Sequence, residues 1–283
     1  MLFILLVIVG LTSSASAQQT YLEYRLKPSS SYSYDMTSNV SQTMSVMSQE
    51  IENDMQSTLG CRLLVREAVL KQYELELHYD TLRMGLRATG LGEAMRLDTS
   101  IVMPGTSQYI QRFMMTSLGN VLSLSSDSTS RISTMIDGAM NNMTMMKNFI
   151  TQFPGRGLNV KDTWTVSTVD TVHNAQLSGD IVTRSTVVYT LTGMKDTLGT
   201  SMAIVDMHTS AYELSGSIRN LGMDMVIEGE GTARGTIRID VRNGLPIAIN
   251  QHSTVNSRMA MTGQQSMLIP MTIATTSTIR RRQ

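Results

Sequence analysis

The chain is poor in the residues that staple, anchor or catalyse. Its 283 residues include one cysteine, one tryptophan and four phenylalanines. With only Cys61 available, an internal disulfide is excluded. Charge is sparse and balanced, 23 basic against 23 acidic side chains, so the chain has no electrostatic footprint for nucleic acid or an anionic membrane surface. The one run of like charge, Arg280-Arg281-Arg282, reads as a solvated tail. There is no H-E-x-x-H, no G-x-S-x-G, no P-loop and no C-x-x-C. Gly229-Glu230-Gly231 with Gly235 misses the dinucleotide-binding spacing. No catalytic residue, cofactor or metal site is therefore expected.

What is present begins with a leader. Leu2 to Leu11 is an apolar run too short to span a bilayer, and Ala15-Ser16-Ala17 follows in front of Gln18. This is the pattern of a signal peptide over 1–17, cleaved after Ala17. Its front lacks the usual Lys or Arg, which allows a start upstream of Met1. The first mature residue is Gln18 and not cysteine, so the leader reads as that of an exported periplasmic or extracellular protein without a lipid anchor. No integral membrane segment is expected after cleavage.

The remainder reads as strand. Tyr73, Leu75, Leu77 and Tyr79 alternate with Glu74, Glu76, His78 and Asp80. From Ile227 to Arg242 the odd positions are Ile, Gly, Gly, Ala, Gly, Ile, Ile and Val, and every even position is charged or hydroxylated. A period of two with one apolar face is a half-buried strand. The small residues Gly229, Gly231 and Gly235 call either for a sharp bend or for close approach of another backbone. Asn243-Gly244 predicts a two-residue type I′ hairpin. Between about 128 and 150 the period changes: Ile132, Met135, Ile136, Ala139, Met140, Met143, Met146, Phe149 and Ile150 predict one amphipathic helix. The expected fold is mainly β, a large curved antiparallel sheet or incomplete barrel with that helix on its concave face. It forms a single domain over 18–283, divisible into similar halves at 18–126 and 155–283.

After the helical stripe comes Phe153-Pro154-Gly155-Arg156-Gly157-Leu158-Asn159-Val160-Lys161-Asp162-Thr163-Trp164. This segment resembles the hallmark of a family of exported bacterial proteins of unknown function, in which Phe-Pro leads to a Gly-Asp-x-Trp strand start. Lys161 stands here where that motif has glycine. The opening Tyr24-Arg25-Leu26-Lys27 and the later Gly229-x-Gly231 strand, with Asp240 and Asn243-Gly244-Leu245, agree with it. The family carries no established catalytic residues. The expected architecture also resembles the LolA/LolB-type lipoprotein carriers. From the residues alone, Pro154 and the glycines turn the chain, Asp162 bonds nearby backbone, and Trp164 fills core volume.

Methionine is over-represented, 24 residues against the few aromatics. As a flexible, polarizable side chain it serves either as core filler or as the lining of an adaptable apolar cavity. Clustered thioethers such as Met259 with Met261 also suit Cu(I), although no His or Cys cluster accompanies them. The function expected is non-enzymatic: an exported protein that holds an apolar ligand such as a lipid or acylated peptide, or one that supports or binds an envelope protein. The alternative from another class is a hydrolase whose site forms only in the fold, with Asp162, His173 and His208 as candidates by residue type.

Overall fold

The computed structural model describes residues 19–89, 97–103, 110–126, 149–174, 179–197, 199–220, 223–262 and 266–282. Every element among them is a strand. The expected signal peptide lies outside the described residues, and so does the expected helix, except for its last two positions. Those two, Phe149 and Ile150, are buried in the core.

Strands β2 (Ser31–Val46), β3 (Gln49–Val69), β4 (Gln72–Thr89), β5 (Leu97–Met103), β6 (Ile110–Thr116) and β7 (Val121–Ser126) form one antiparallel meander. A second meander comprises β9 (Thr163–Asn174), β10 (Gly179–Thr197), β11 (Thr200–Asn220), β12 (Met223–Asp240), β13 (Pro246–Thr262) and β14 (Met267–Arg281). Pairing of β2 with β14 fuses them into a single 12-stranded sheet in the order β7-β6-β4-β3-β2-β14-β13-β12-β11-β10-β9, with β5 beside the far half of β4. Chain neighbours within each meander pair, except that β5 and β6 both pair with β4, and the first long strand pairs with the last. This is up-and-down barrel order, with one seam, β7 to β9, unpaired among the described residues.

The sheet is strongly curled. Tyr24 N–H donates to Ser117 C=O in the β6–β7 turn, and the next amide, Arg25 N–H, donates to Asn243 C=O in the β12–β13 turn. In a flat sheet β6 and β13 would stand five strand spacings apart, roughly 24 Å, yet adjacent residues of one chain bond both. Residues 19–30 thus strap one end of the curled sheet, burying Leu22, Tyr24 and Leu26 and exposing Arg25 and Lys27. The pair β1 (Thr20–Tyr21) and β8 (Gly157–Leu158) ties this strap to the segment that follows Phe149. A single buried cluster under the straps draws side chains from β2, β3, β4, β6 and β9 to β14.

Three local features make this possible. The small residues of β12 lie against backbone: a Cβ on Gly231 would stand 2.9 Å from Thr254 O and 3.0 Å from the Tyr212 ring, and one on Gly235 would meet Asn250 O. Close approach is therefore what these glycines serve. Opposite them β11 carries an extra residue, Ser210, between the pairs Val187↔Thr209 and Thr186↔Ala211. The inward set of β11 accordingly shifts from Ala203, Val205 and Met207 to Tyr212, Leu214 and Ile218. On β4, Asp80 is likewise extra, between Tyr79↔Cys61 and Thr81↔Gly60, and the buried set passes from Tyr79 to Leu82. Bulges of this kind bend a strand and re-aim its side chains.

The hairpin expected at Asn243-Gly244 takes another form. Residues 241–245 make a longer loop between β12 and β13, in which Gly244 alone has positive φ (75°) and its N–H donates to Asp240 C=O. The Asp240 carboxylate accepts from Arg242 N–H and Asn243 Nδ2, which favours this loop over a tight turn. Two-residue turns with both central φ values positive occur instead at Met47-Ser48 (50°, 65°) and Leu70-Lys71 (49°, 65°).

Candidate functional site

The face of the sheet that holds the core continues beyond it along the strands, and the register divides that face into three zones. Nearest the straps is an apolar belt in which Leu82, Leu59, Met36, Ile279, Ile249, Ile237, Val205 and Leu191 are successive partners from β4 to β10, all buried. The next inward rows are uncharged and mixed, with hydroxyl and carboxamide side chains set among apolar ones. Ser57, Ser38, Ser277 and Gln251 are successive partners, and Val40, Thr275 and Ser253 follow one row on. Gln42 and Asn53 pair in the row after. Beyond them the face turns apolar again and rich in sulfur: Met44↔Met271, then Ile269↔Met259↔Ile227, then Met267↔Met261↔Met225.

From β4 across to β10 no inward position of the outer two zones carries a charge. Asp170, on the edge strand β9, is the inward carboxylate nearest to them. The outward positions are the opposite. β12 presents Glu228, Glu230, Arg234 and Arg238, β3 presents Glu52 and Asp54, and Arg258 bridges to Glu228 at 2.8 Å. Within the middle zone the polar groups have weak partners. Ser38 and Ser277 hydroxyls stand 3.4 Å apart, and Gln42 Nε2 donates to the Met271 thioether at 2.6 Å. Ser257, in the Met44–Met271 row, is 8% exposed and its hydroxyl has no hydrogen-bond partner among the described residues.

The strapped end is a packed core. Trp164 is 7% exposed, stacks on Tyr189 with centroids 5.2 Å apart, and its indole N–H donates to Gln152 C=O at 2.8 Å. Phe149 meets the Tyr34 ring edge-on at 4.7 Å, and Phe153 packs on Tyr24. The Tyr24 hydroxyl donates to Thr151 C=O and accepts from Thr151 N–H. Burial pushes the Tyr24 and Tyr34 phenols well above their ordinary values and the Cys61 thiol up to about 12. Asp162 accepts from Asn159 N–H at 2.9 Å and pairs with Arg156, and that backbone hydrogen bond first, then the guanidinium, hold its carboxyl below the usual range. Pro154 lies between Phe153, whose N–H donates to Leu118 C=O, and the turn at Gly155 (φ 68°).

Two buried carboxylates are clamped from outside the core. Asp240 is 1% exposed and receives Arg242 Nε and Arg281 Nη2, each at 3.1 Å. Glu76 receives Arg112 Nε at 3.0 Å, His78 Nε2 at 2.9 Å and Arg66 Nε at 3.4 Å. The hydrolase candidates are not brought together. Asp162 precedes β9 and His173 lies near its far end, about 36 Å along the strand. His208 is on the outer face, in register with Arg234. His252 is also outside, beside Thr276. No group of three or more His, Cys, Asp or Glu fit to hold a metal occurs among the described residues. The aligned thioethers Met225, Met261 and Met267 were invisible as a set before pairing was known. The same holds for the polar row of Ser57, Ser38, Ser277 and Gln251: each is an unremarkable residue until register aligns it.

No protein family profile matches the chain, and no curated protein matches it. Among solved structures it is similar to the COG4313 outer membrane channel from Pseudomonas putida F1, at 9% identity and a TM-score of 0.27, over 92% of this chain and 97% of that one. It is also similar to the translocator domain of autotransporter NalP from Neisseria meningitidis, at 5% identity and a TM-score of 0.26, over 90% of each chain. A third is Pseudomonas aeruginosa OccK5, at 6% identity and a TM-score of 0.24, over 89% of this chain and 98% of that one. Scores this low carry no argument about function. Among the described residues no helix is long and apolar enough to cross a membrane.

Proposed function

We propose that this is an exported, non-catalytic binding protein that holds an apolar ligand, a lipid or an acylated peptide, against the methionine-rich inner face of its sheet. The observation that carries the reading is the contrast between the two faces. Inward positions of β12, β13 and β14 bear Met225, Ile227, Met259, Met261, Met267, Ile269 and Met271, half-buried or buried, while most outward positions of the same strands are charged, hydroxylated or amide-bearing, apart from Val226, Ala260, Leu268 and Pro270 at the far end and Ala248 and Ala274 elsewhere. Methionine surfaces repack around varied apolar shapes. A barrel in lipid needs the reverse, an apolar band outside, and Arg on that side would cost about 2–4 kcal/mol at mid-bilayer. The outward Arg234, Arg238 and Arg258 favour an aqueous compartment. The likeness to LolA/LolB-type carriers belongs to this reading: an unclosed sheet with its apolar side inward.

The test is native mass spectrometry of the protein extracted without detergent from its source, joined to photolabelling with a diazirine-bearing fatty acid. The reading expects an adduct of lipid mass and labels on inward residues of β12–β14. A ligand-free spectrum with labels absent, or confined to outward residues or to 127–148, defeats it and leaves the alternative of an envelope-support protein with no small ligand.

A further inference from the structure

Resting on that reading, we infer that the ligand is a neutral amphiphile: one long acyl chain joined to an uncharged hydrogen-bonding head, such as an ester or amide bearing hydroxyls. The polar head lies on the band formed by Ser57, Ser38, Ser277 and Gln251, with Ser253, Thr275, Gln42 and Asn53 beside it. The acyl chain runs outward along β12–β14 over Met271, Met259, Met261 and Met225.

Three observations converge on this class. The first is the order of zones. A purely apolar ligand would have no use for eight hydroxyl and carboxamide side chains at inward positions, between two apolar zones. Polar groups covered by hydrocarbon without partners cost free energy. A head carrying its own donors and acceptors removes that cost. The second is charge. From β4 to β10 these rows hold no cation to neutralise a carboxylate or phosphate head: Arg258 lies on the outer face against Glu228, and Arg281 is at the strapped end, paired with Asp240. An anionic head would therefore enter an uncharged surface unpaired. The third is unmet bonding capacity. Among the described residues the Ser257 hydroxyl is buried without a partner at the junction of the polar and sulfur zones, and Gln42 donates to a thioether, a weak acceptor. From Ile273 to Met267 the apolar zone runs about 20 Å along β14, enough for a long acyl chain laid parallel to the strands.

The experiment is displacement of the neutral fluorophore N-phenyl-1-naphthylamine from the full-length exported protein by 1-monooleoylglycerol and by oleate, at a pH where oleate is ionised. Monooleoylglycerol should displace the probe at a concentration roughly tenfold lower than oleate, the scale of one unmatched polar interaction. In Ser38→Val/Ser277→Val/Gln251→Leu that preference should fall below about threefold while probe binding persists. Equal or better displacement by oleate overturns the inference and leaves the apolar-ligand reading intact, as does a folded triple variant that keeps the full preference. Failure of the probe, monooleoylglycerol and oleate all to bind instead overturns the apolar-ligand reading itself. If the triple variant does not fold, the comparison of the two lipids on the unaltered protein decides.

Discussion

At the scale of single residues, burial and pairing set the chemistry. Trp164 is enclosed between Tyr189 and the Gln152 carbonyl, so Trp164→Ala should cost about 3–5 kcal/mol in denaturant unfolding. Its emission should be blue-shifted and protected from acrylamide, and a red-shifted, readily quenched emission would contradict the packing described. Cys61, with its thiol pushed up to about 12 by burial, should resist a thiol reagent at pH 8 until the protein is unfolded. For Asp240 and Glu76, burial opposes the charged form. The guanidiniums of Arg242 and Arg281 in one case, and His78, Arg112 and Arg66 in the other, outweigh it and hold both carboxyls below their ordinary values of 3.8 and 4.5. A carboxyl whose folded pKa is depressed stabilises above its unfolded value and loses that contribution as pH falls through the folded one. Melting temperature should therefore drop as pH is lowered below about 4. Asp240→Asn should lower the melting temperature at pH 7 and shallow that acid limb, and an unchanged acid limb would show the clamp to be without energetic weight.

At the scale of elements, turns and bulges carry the design. Leu70 and Lys71 occupy left-handed backbone that suits asparagine and glycine, and Leu70 is 94% exposed, so its side chain buries almost nothing. Leu70→Asn with Lys71→Gly should raise stability by about 1–2 kcal/mol, measured by urea unfolding. The opposite sign is expected at Gly231, where a side chain would meet Thr254 O and Tyr212: Gly231→Val should destabilise by about 1–3 kcal/mol through overpacking. A neutral Gly231→Val would mean that the strands open more easily than this close approach implies.

At the scale of the whole molecule, the sheet is unevenly stabilised. The straps, the aromatic cluster and the apolar belt concentrate buried area at one end, while the far end has, among the described residues, a smaller buried group including Ile218, Met225 and Ile269. Native-state hydrogen exchange should therefore show β3, β4 and β12 amides near Leu63, Leu75 and Ile239 protected to the global unfolding free energy. Amides near Met44 and Met259 should exchange through smaller openings, and ligand should slow those selectively. Uniform protection along the strands would contradict this gradient.

How much of this was legible in the sequence differs by feature. Period-two stripes such as Tyr73–Tyr79 and Ile227–Val241 are local, since a pleated strand sends alternate side chains to opposite faces whatever it pairs with. They sufficed for a mainly β, antiparallel chain with an apolar and a polar side, and for reading the β12 glycines as calling for either a sharp bend or close backbone approach, between which the structure chose. The Asn243-Gly244 signal placed a turn correctly and its type wrongly, because the Asp240 carboxylate and the strap at Glu23–Arg25 select the longer loop. Two tight hairpins, at Met47-Ser48 and Leu70-Lys71, carry no Gly, Asn or Asp at their left-handed positions, being imposed by the long strands on either side. Register was decided only in the tertiary structure. One extra residue, Ser210 or Asp80, exchanges the faces of everything beyond it, and the partnership of Ser38 with Ser277 spans 239 positions of chain. The sequence by itself thus determined which residues alternate, and the fold determined which of them meet: separated serines and methionines become a polar band and a thioether patch only when eleven strands align around one core.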